Sequence, residues 1–147
     1  MPLVHLDRLY WRAGWEATPE REWRVKVQEL IRGESWIIDG NYGGTLDLRL
    51  EACDTVFFLD LPRLTCLRRV MSRQLRHLGR ERPEMPPGCP ERLNLEFLLW
   101  IWTYPARRRG GILQRLGELS GKKEIVILRT PRAAEEYLSS RTGNQEA

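Results

Sequence analysis

The 147-residue sequence is poor in the residues that build metal centres, disulfide frameworks and membrane spans. It has three cysteines and two histidines, and no cysteine stands at a zinc-ligand spacing from another. An odd number of cysteines cannot pair completely, and neither a secretion signal nor an apolar run of membrane-spanning length is present. These absences argue against a zinc protein, a disulfide-stabilised secreted domain and a membrane protein. We therefore expect a protein of the reducing cytoplasm.

Lysine is also scarce, because only Lys26, Lys122 and Lys123 are found among the 24 basic residues. The net charge of +4 is thus carried by arginine. Arginine suits bidentate recognition of phosphate or carboxylate groups, but an arginine-rich composition also arises from a GC-rich genome, and both explanations stay open. The length and the 41% hydrophobic content predict one domain with a core of its own.

Three short apolar runs each end in an aspartate. They are Leu3 to Leu6 before Asp7, Trp36 to Ile38 before Asp39, and Val56 to Leu59 before Asp60. Near-continuous apolar runs are typical of parallel strands covered by helices on both faces, and open parallel sheets bind ligands beyond the carboxyl ends of their strands. No Gly-rich phosphate-binding loop precedes or interrupts these runs.

Strand and helix patterns alternate along the chain, which predicts an α/β three-layer sandwich with a parallel sheet. Thr18, Thr45 and Asn94 are expected to cap helices, Pro105 to interrupt one, and Trp100 and Trp102 to lie in the core. We expect a single domain over residues 1–138, a Pro-rich lid-like segment at 79–93 and a flexible tail at 139–147. Strands are predicted at 3–6, 36–39, 55–61 and 124–128, and helices at 19–32, 46–52, 64–78, 95–104, 112–119 and 131–138.

Several motifs in this order resemble the bacterial topology modulation proteins, and the resemblance covers about 3–138. It implies the P-loop fold of adenylate and shikimate kinases, with ATP and Mg²⁺ as expected cofactors. The motifs are His5-Leu6-Asp7-Arg8-Leu9-Tyr10-Trp11, Trp36-Ile37-Ile38-Asp39-Gly40-Asn41-Tyr42, Pro90-Glu91-Arg92-Leu93, Glu96-Phe97 and Trp100-Ile101-Trp102.

The sequence departs from that family at its start. Family members begin with a further strand, a Gly-rich (Walker A) loop and a helix, none of which is found here. In the family fold the missing strand lies between the strands that end at Asp39 and Asp60, so its loss leaves two strand edges unpaired. We expect a truncated chain that is inactive by itself, in which the two edges pair directly or a second copy fills the gap in a homodimer.

The resemblance gives two of the aspartates roles in a kinase-like site. Asp39 matches the acid that holds Mg²⁺ through water, and Asp7 matches the acid placed against the acceptor hydroxyl. The alternative for Asp39 is capping of the turn at Gly40, and the alternative for Asp7 is a surface turn residue. Asn41, Tyr42 and Trp11 are candidates for contact with the nucleotide or acceptor, whereas loop anchoring is the alternative for Trp11 and Tyr42. Asp60 is interpreted as structural.

Arginines supply the remaining candidates. By resemblance, Arg69 lies near the adenine and Arg73 on the phosphates, while Arg82 and Arg92 are lid arginines that close over the transferred phosphoryl group. The alternative for Arg69 and Arg73 is a solvated helix face.

Three functions follow from these patterns. The leading one is ATP-dependent phosphoryl transfer to a nucleotide or other small acceptor by the complete protein. The second is a DNA-binding, topology-modulating regulator that uses the arginine-rich helix face, and the third is a degenerate, non-catalytic paralogue. No membrane partner is expected.

Overall fold

The computed structural model describes residues 1–142, whose contacts divide into two compact units. The first unit comprises Met1–Cys53 and Arg73–Leu93, and the second comprises Asp54–Ser72 and the described chain from Asn94. Each unit contains helices and a two-stranded parallel sheet, so the architecture is mixed α/β. The single domain over 1–138 stays a prediction.

The first unit is built around a small parallel sheet and the helices that follow its strands. Strand β1 pairs with β4 so that His5 lies opposite Asp39. In chain order the elements are β1 (Leu3–His5), α1 (Leu6–Tyr10), β2 (Trp11–Arg12), β3 (Glu16–Ala17), α2 (Glu20–Leu30), β4 (Ile37–Asp39) and α3 (Leu46–Ala52).

The core of this unit is formed by Leu6, Trp23 and Val27, all buried. Trp23 and Val27 are four residues apart on α2 and therefore share one face. Gly40 contacts this core closely, because its φ is 141° and a Cβ at this position would lie 2.8 Å from Leu6 Cβ. Only glycine fits here, and the chain after Asp39 is thereby packed against Leu6.

A short hairpin was not predicted from the sequence. It consists of the two-residue strands β2 and β3, which pair with each other. Its turn contains Gly14 and Trp15, both with positive φ. Strands of two residues are too short to show an alternating pattern.

The second unit has a parallel pair of strands at its centre, β5 paired with β6 over their full lengths. Asp60 follows β5 and accepts hydrogen bonds from Arg109 Nε and Nη2 at 2.6 and 2.7 Å. The elements are β5 (Thr55–Leu59), α4 (Arg63–Arg76, whose last four residues belong to the first unit), α5 (Leu95–Tyr104), α6 (Gly110–Leu119), β6 (Glu124–Leu128) and α7 (Pro131–Thr142).

The predicted interruption at Pro105 is confirmed for the regular α-helix, because α5 ends at Tyr104 and α6 begins at Gly110. A π-helical turn, Pro105–Arg109, joins α5 to α6, and the chain stays helical from Leu95 to Leu119. Proline lacks the backbone N–H that an α-helix needs at this point, and a wider turn accommodates it.

Of the three predicted helix caps, one is present and two are not. Asn94 is confirmed as a cap, because its Oδ1 accepts a hydrogen bond from Phe97 N at 3.0 Å. Thr18 and Thr45 do not cap their helices, and the Thr18 hydroxyl instead donates to the Tyr10 carbonyl oxygen at 2.6 Å. Trp100 and Trp102 are 40% and 41% exposed and are not core residues.

The observed ends of two helices differ from the predicted ones. The helix expected to reach residue 78 ends at Arg76, and α7 extends to Thr142, so residues 139–142 are helical and not a tail. Residues 143–147 of the predicted tail lie outside the described residues.

Each parallel sheet has two strands, so the expected direct pairing of the two strand edges is not found in residues 1–142, and the homodimer stays a prediction. No helix among these residues has the length and apolar character needed to cross a bilayer.

Candidate functional site

Asp7 and Tyr42 meet at the carboxyl edge of the first unit's parallel sheet. Asp7 lies in the first turn of α1, directly after β1, and Tyr42 follows the end of β4. The Tyr42 hydroxyl donates a hydrogen bond to Asp7 Oδ1. Burial, and then this bond to a carboxylate, raise the pKa of Tyr42 far above its usual value. Tyr42 therefore remains a neutral donor that fixes the Asp7 carboxylate in place.

Asp39, the predicted magnesium ligand, ends β4 at the same edge. Its Oδ2 lies 3.1 Å from His5 Nδ1, and its side chain is 69% exposed. No group of three metal-ligating side chains is found within residues 1–142. Mg²⁺ commonly takes one or two carboxylates and completes its shell with water and substrate phosphates. Asp39 fits one such position, and a nucleotide would have to supply the others.

Arg73 and Arg82 both reach the buried carboxylate of Glu91. Arg82 Nε lies 2.6 Å and Arg73 Nε 3.6 Å from Glu91 Oε2. These atoms have no hydrogen-bond partner of suitable geometry, so both contacts are ion pairs without a directed hydrogen bond. Burial, and then the charge of Arg82, lower the pKa of Arg73, while Glu91 and Asp7 act in the opposite direction. The charges of Asp7 and Arg82 thus both act on Arg73.

Glu91 is the residue that the sequence analysis missed. Its side chain is only 4% exposed, and its backbone joins the two ends of the lid-like segment. Gly79 N donates to Glu91 O at 2.9 Å, and Glu91 N donates to Arg80 O at 2.8 Å. The available signal was an acid beside the arginines of this segment, but local sequence does not tell which carboxylate becomes buried.

The lid-like segment is held against the β2–β3 hairpin. Gly14 N donates to Gly88 O at 2.7 Å, and Trp15 Nε1 donates to Pro90 O at 3.0 Å. The Arg92 guanidinium lies over the Trp15 ring at 5.4 Å from its centroid. Arg92 is therefore positioned by an aromatic ring, whereas Arg82 is positioned by a carboxylate.

Aromatic side chains surround Tyr42. Its ring contacts Tyr10 and Trp23, and Trp11 contacts Tyr10 and Trp15. Trp11 is half-buried between its ring neighbours, as expected for loop anchoring. Tyr42 lines a cavity of about 260 Å³, whereas Trp11 does not.

Two of the predicted site residues, Asn41 and Arg69, make none of the contacts described above. Asn41 is exposed and makes no side-chain hydrogen bond or ion pair among the described residues. Arg69 belongs to the second unit. Burial raises the pKa of the Cys66 thiol, and the positive charge of Arg69 acts in the opposite direction.

Comparisons of the chain with protein-family models, with curated proteins and with solved structures gave no match. The resemblance to topology modulation proteins therefore stays a prediction based on the sequence motifs.

Proposed function

We propose that the complete protein is a P-loop kinase-like phosphotransferase, and that the first unit forms its acceptor side. The reaction would transfer the γ-phosphoryl group of ATP to a nucleotide or another small acceptor. The observation that carries this proposal is the Asp7 carboxylate, which is held by the Tyr42 hydroxyl and whose charge acts on Arg73.

Each of these side chains has a task in such a transfer. Asp7 accepts a hydrogen bond from the acceptor hydroxyl and takes its proton as the acceptor oxygen bonds to the γ-phosphorus and the bond to ADP breaks. Arg73 and Arg82 offset the negative charge of the phosphoryl group. Asp39 would hold Mg²⁺, and the ion would neutralise charge on the phosphates.

Anchoring of the nucleotide is the part of this function that residues 1–147 do not supply. A Gly-rich loop provides backbone N–H groups and a lysine for the phosphates in P-loop proteins, and no such loop occurs in the sequence. We infer that residues 1–147 by themselves turn over no ATP. An in-frame Gly-Lys-Ser or Gly-Lys-Thr motif upstream of Met1 in the gene would supply the missing part.

The test is phosphoryl transfer from ATP by the full-length gene product. Asp7→Asn should lower the rate by about 100-fold or more, because it removes the proton acceptor, and Asp39→Asn should lower it and weaken the dependence on Mg²⁺. Asp54→Asn is the matched control, because Asp54 is exposed at the start of β5 and should have no effect.

Two results would contradict the proposal. Steeply salt-dependent DNA binding without nucleotide affinity would favour the regulator that uses its arginine-rich helix face. Nucleotide binding without turnover would favour the degenerate paralogue.

A further inference from the structure

A buried arginine contacts the segment that carries Tyr42. Arg49 belongs to α3 and is only 8% exposed. Helical side chains point back towards the N-terminus of their helix, and Arg49 accordingly reaches the chain that precedes α3. We call this chain, which joins β4 to α3, the 40–45 segment.

All three nitrogen atoms of the Arg49 guanidinium donate to the 40–45 segment. Nη1 donates to Gly40 O at 2.9 Å, and Nη2 donates to Tyr42 O at 2.7 Å. Nε donates to Thr45 O in a longer bond of 3.4 Å. A planar guanidinium presents its N–H groups in fixed directions, whereas a lysine ammonium is a compact point charge on a flexible stem. One rigid group therefore ties the start, the middle and the end of this segment together.

The direct partners of the buried Arg49 charge are thus carbonyl oxygens. Asp47, whose charge acts on Arg49, forms its ion pair with Arg24 at 2.8 Å. Burial lowers the pKa of Arg49, which reflects the cost of keeping its charge away from water. Costs of this kind are typical of functional sites, where a required geometry is held at the expense of stability.

The backbone that Arg49 holds carries the side chain that reaches Asp7. The Tyr42 carbonyl oxygen also accepts a hydrogen bond from Thr45 N at 3.2 Å, and the Tyr42 hydroxyl donates to Asp7 Oδ1. We propose that Arg49 is a positioning residue, which acts through Tyr42 to hold the Asp7 carboxylate in place. The inference rests on the proposed function, in which Asp7 is the proton acceptor.

The variant Arg49→Lys separates the geometry of the guanidinium from its charge. Lysine keeps the positive charge, but its single nitrogen atom replaces three donor atoms at different positions. Arg24→Lys is the matched control, because Arg24 donates to a different carbonyl oxygen of the same segment, Gly44 O, at 2.9 Å. Arg24 is also 42% exposed, and a lysine there can keep the ion pair with Asp47.

The first measurement is ¹³C NMR of the full-length protein labelled at the tyrosine Cζ atoms, and it requires no activity. The Tyr42 resonance is identified by its loss in Tyr42→Phe. Arg49→Lys should move this resonance towards the position of tyrosines whose hydroxyls are in water, and Arg24→Lys should leave it in place. Thermal melting shows whether each variant folds. If Arg49→Lys is unfolded, Arg49→Met replaces it, because this change removes the cost of the buried charge.

The second measurement is the rate of phosphoryl transfer. Arg49→Lys should lower kcat about tenfold, because Asp7 is less well oriented. It should change the KM for ATP by less than about twofold, because Arg49 acts on the acceptor side. In a Tyr42→Phe background the same change should alter kcat by less than about twofold, since residues that act through one another have non-additive effects.

An unmoved Tyr42 resonance in the folded Arg49 variant, equal effects of the two lysine variants, or equal losses of kcat with and without Tyr42 would overturn the inference. These results are distinct from failure of the proposed function. If the parent protein transfers no phosphoryl group, the function is removed, and the NMR measurement still decides whether Arg49 holds Tyr42 against Asp7.

Discussion

At the residue scale, Glu91 holds together two arginines of the candidate site. Replacing it by glutamine would leave Arg73 and Arg82 close together with no buried counter-charge. Removing one partner of a buried ion pair commonly costs about 3–5 kcal/mol of stability. We expect Glu91→Gln to lower the free energy of unfolding by an amount in this range, measured by urea denaturation followed by circular dichroism.

Glu84 gives the control for this prediction, because it also pairs with Arg82. Its Oε2 lies 3.6 Å from Arg82 Nη1, but its side chain is 48% exposed. Exposed ion pairs contribute about 0–1 kcal/mol, so Glu84→Gln should have little effect. Equal losses for the two variants would show that Glu91 is not the buried centre of this cluster.

The candidate site was predictable from sequence only in part. Strand-end aspartates are visible as apolar runs that stop at a carboxylate, and the motif resemblance added Tyr42 and the arginines. Glu91 and the cavity beside Tyr42 could not be predicted. Both depend on which side chains tertiary packing buries, and Glu91 is one acid in a segment where prolines hide any periodic pattern.

At the scale of elements, the cap of α5 is a local interaction that the sequence predicts and the structure contains. Asn94 Oδ1 accepts the hydrogen bond of Phe97 N, which otherwise has no helical partner. Asn94→Ala should cost about 1 kcal/mol of stability, whereas Asn94→Asp should keep the cap. Urea denaturation of both variants tests this, and equal stabilities for alanine and aspartate would refute the role of the cap.

Elements were predicted well where a local pattern determines them and poorly where distant contacts do. The apolar runs at β5 and β6 were sufficient to predict these two strands. The break in the α-helix at Pro105 was predicted, but the π-turn that keeps the chain helical was not, because it depends on whether the backbone can widen. Apolar sequence alone also did not show that Trp100 and Trp102 remain partly exposed.

At the scale of the whole molecule, periodicity predicts the four long strands, and the family resemblance indicates the gap between the strands that end at Asp39 and Asp60. All four strands are present, and they form two separate pairs instead of one sheet. Strand order is set by contacts between segments far apart in sequence, which periodicity does not encode.

Ion pairs spread over the molecule make its stability depend on pH. Hydrogen bonds from Arg12, Arg24 and Arg109 lower the pKa values of Glu22, Asp47 and Asp60, respectively. Free carboxyl groups titrate near about pH 4. Because the folded-state pKa values lie lower, these pairs stabilise the fold above about pH 4, and this stabilisation is lost as the pH falls through the folded-state values.

The triple variant Glu22→Gln/Asp47→Asn/Asp60→Asn should therefore have a lower thermal midpoint than the parent chain at pH 7, and the difference should shrink at about pH 2.5. Changing Glu29, Glu34 and Asp54 to their amides alters the net charge equally, but these carboxylates form no ion pair within residues 1–142. A purely global charge effect would lower both midpoints alike, because self-repulsion depends on net charge. A loss confined to the first variant at pH 7 would instead show that the individual ion pairs stabilise the fold.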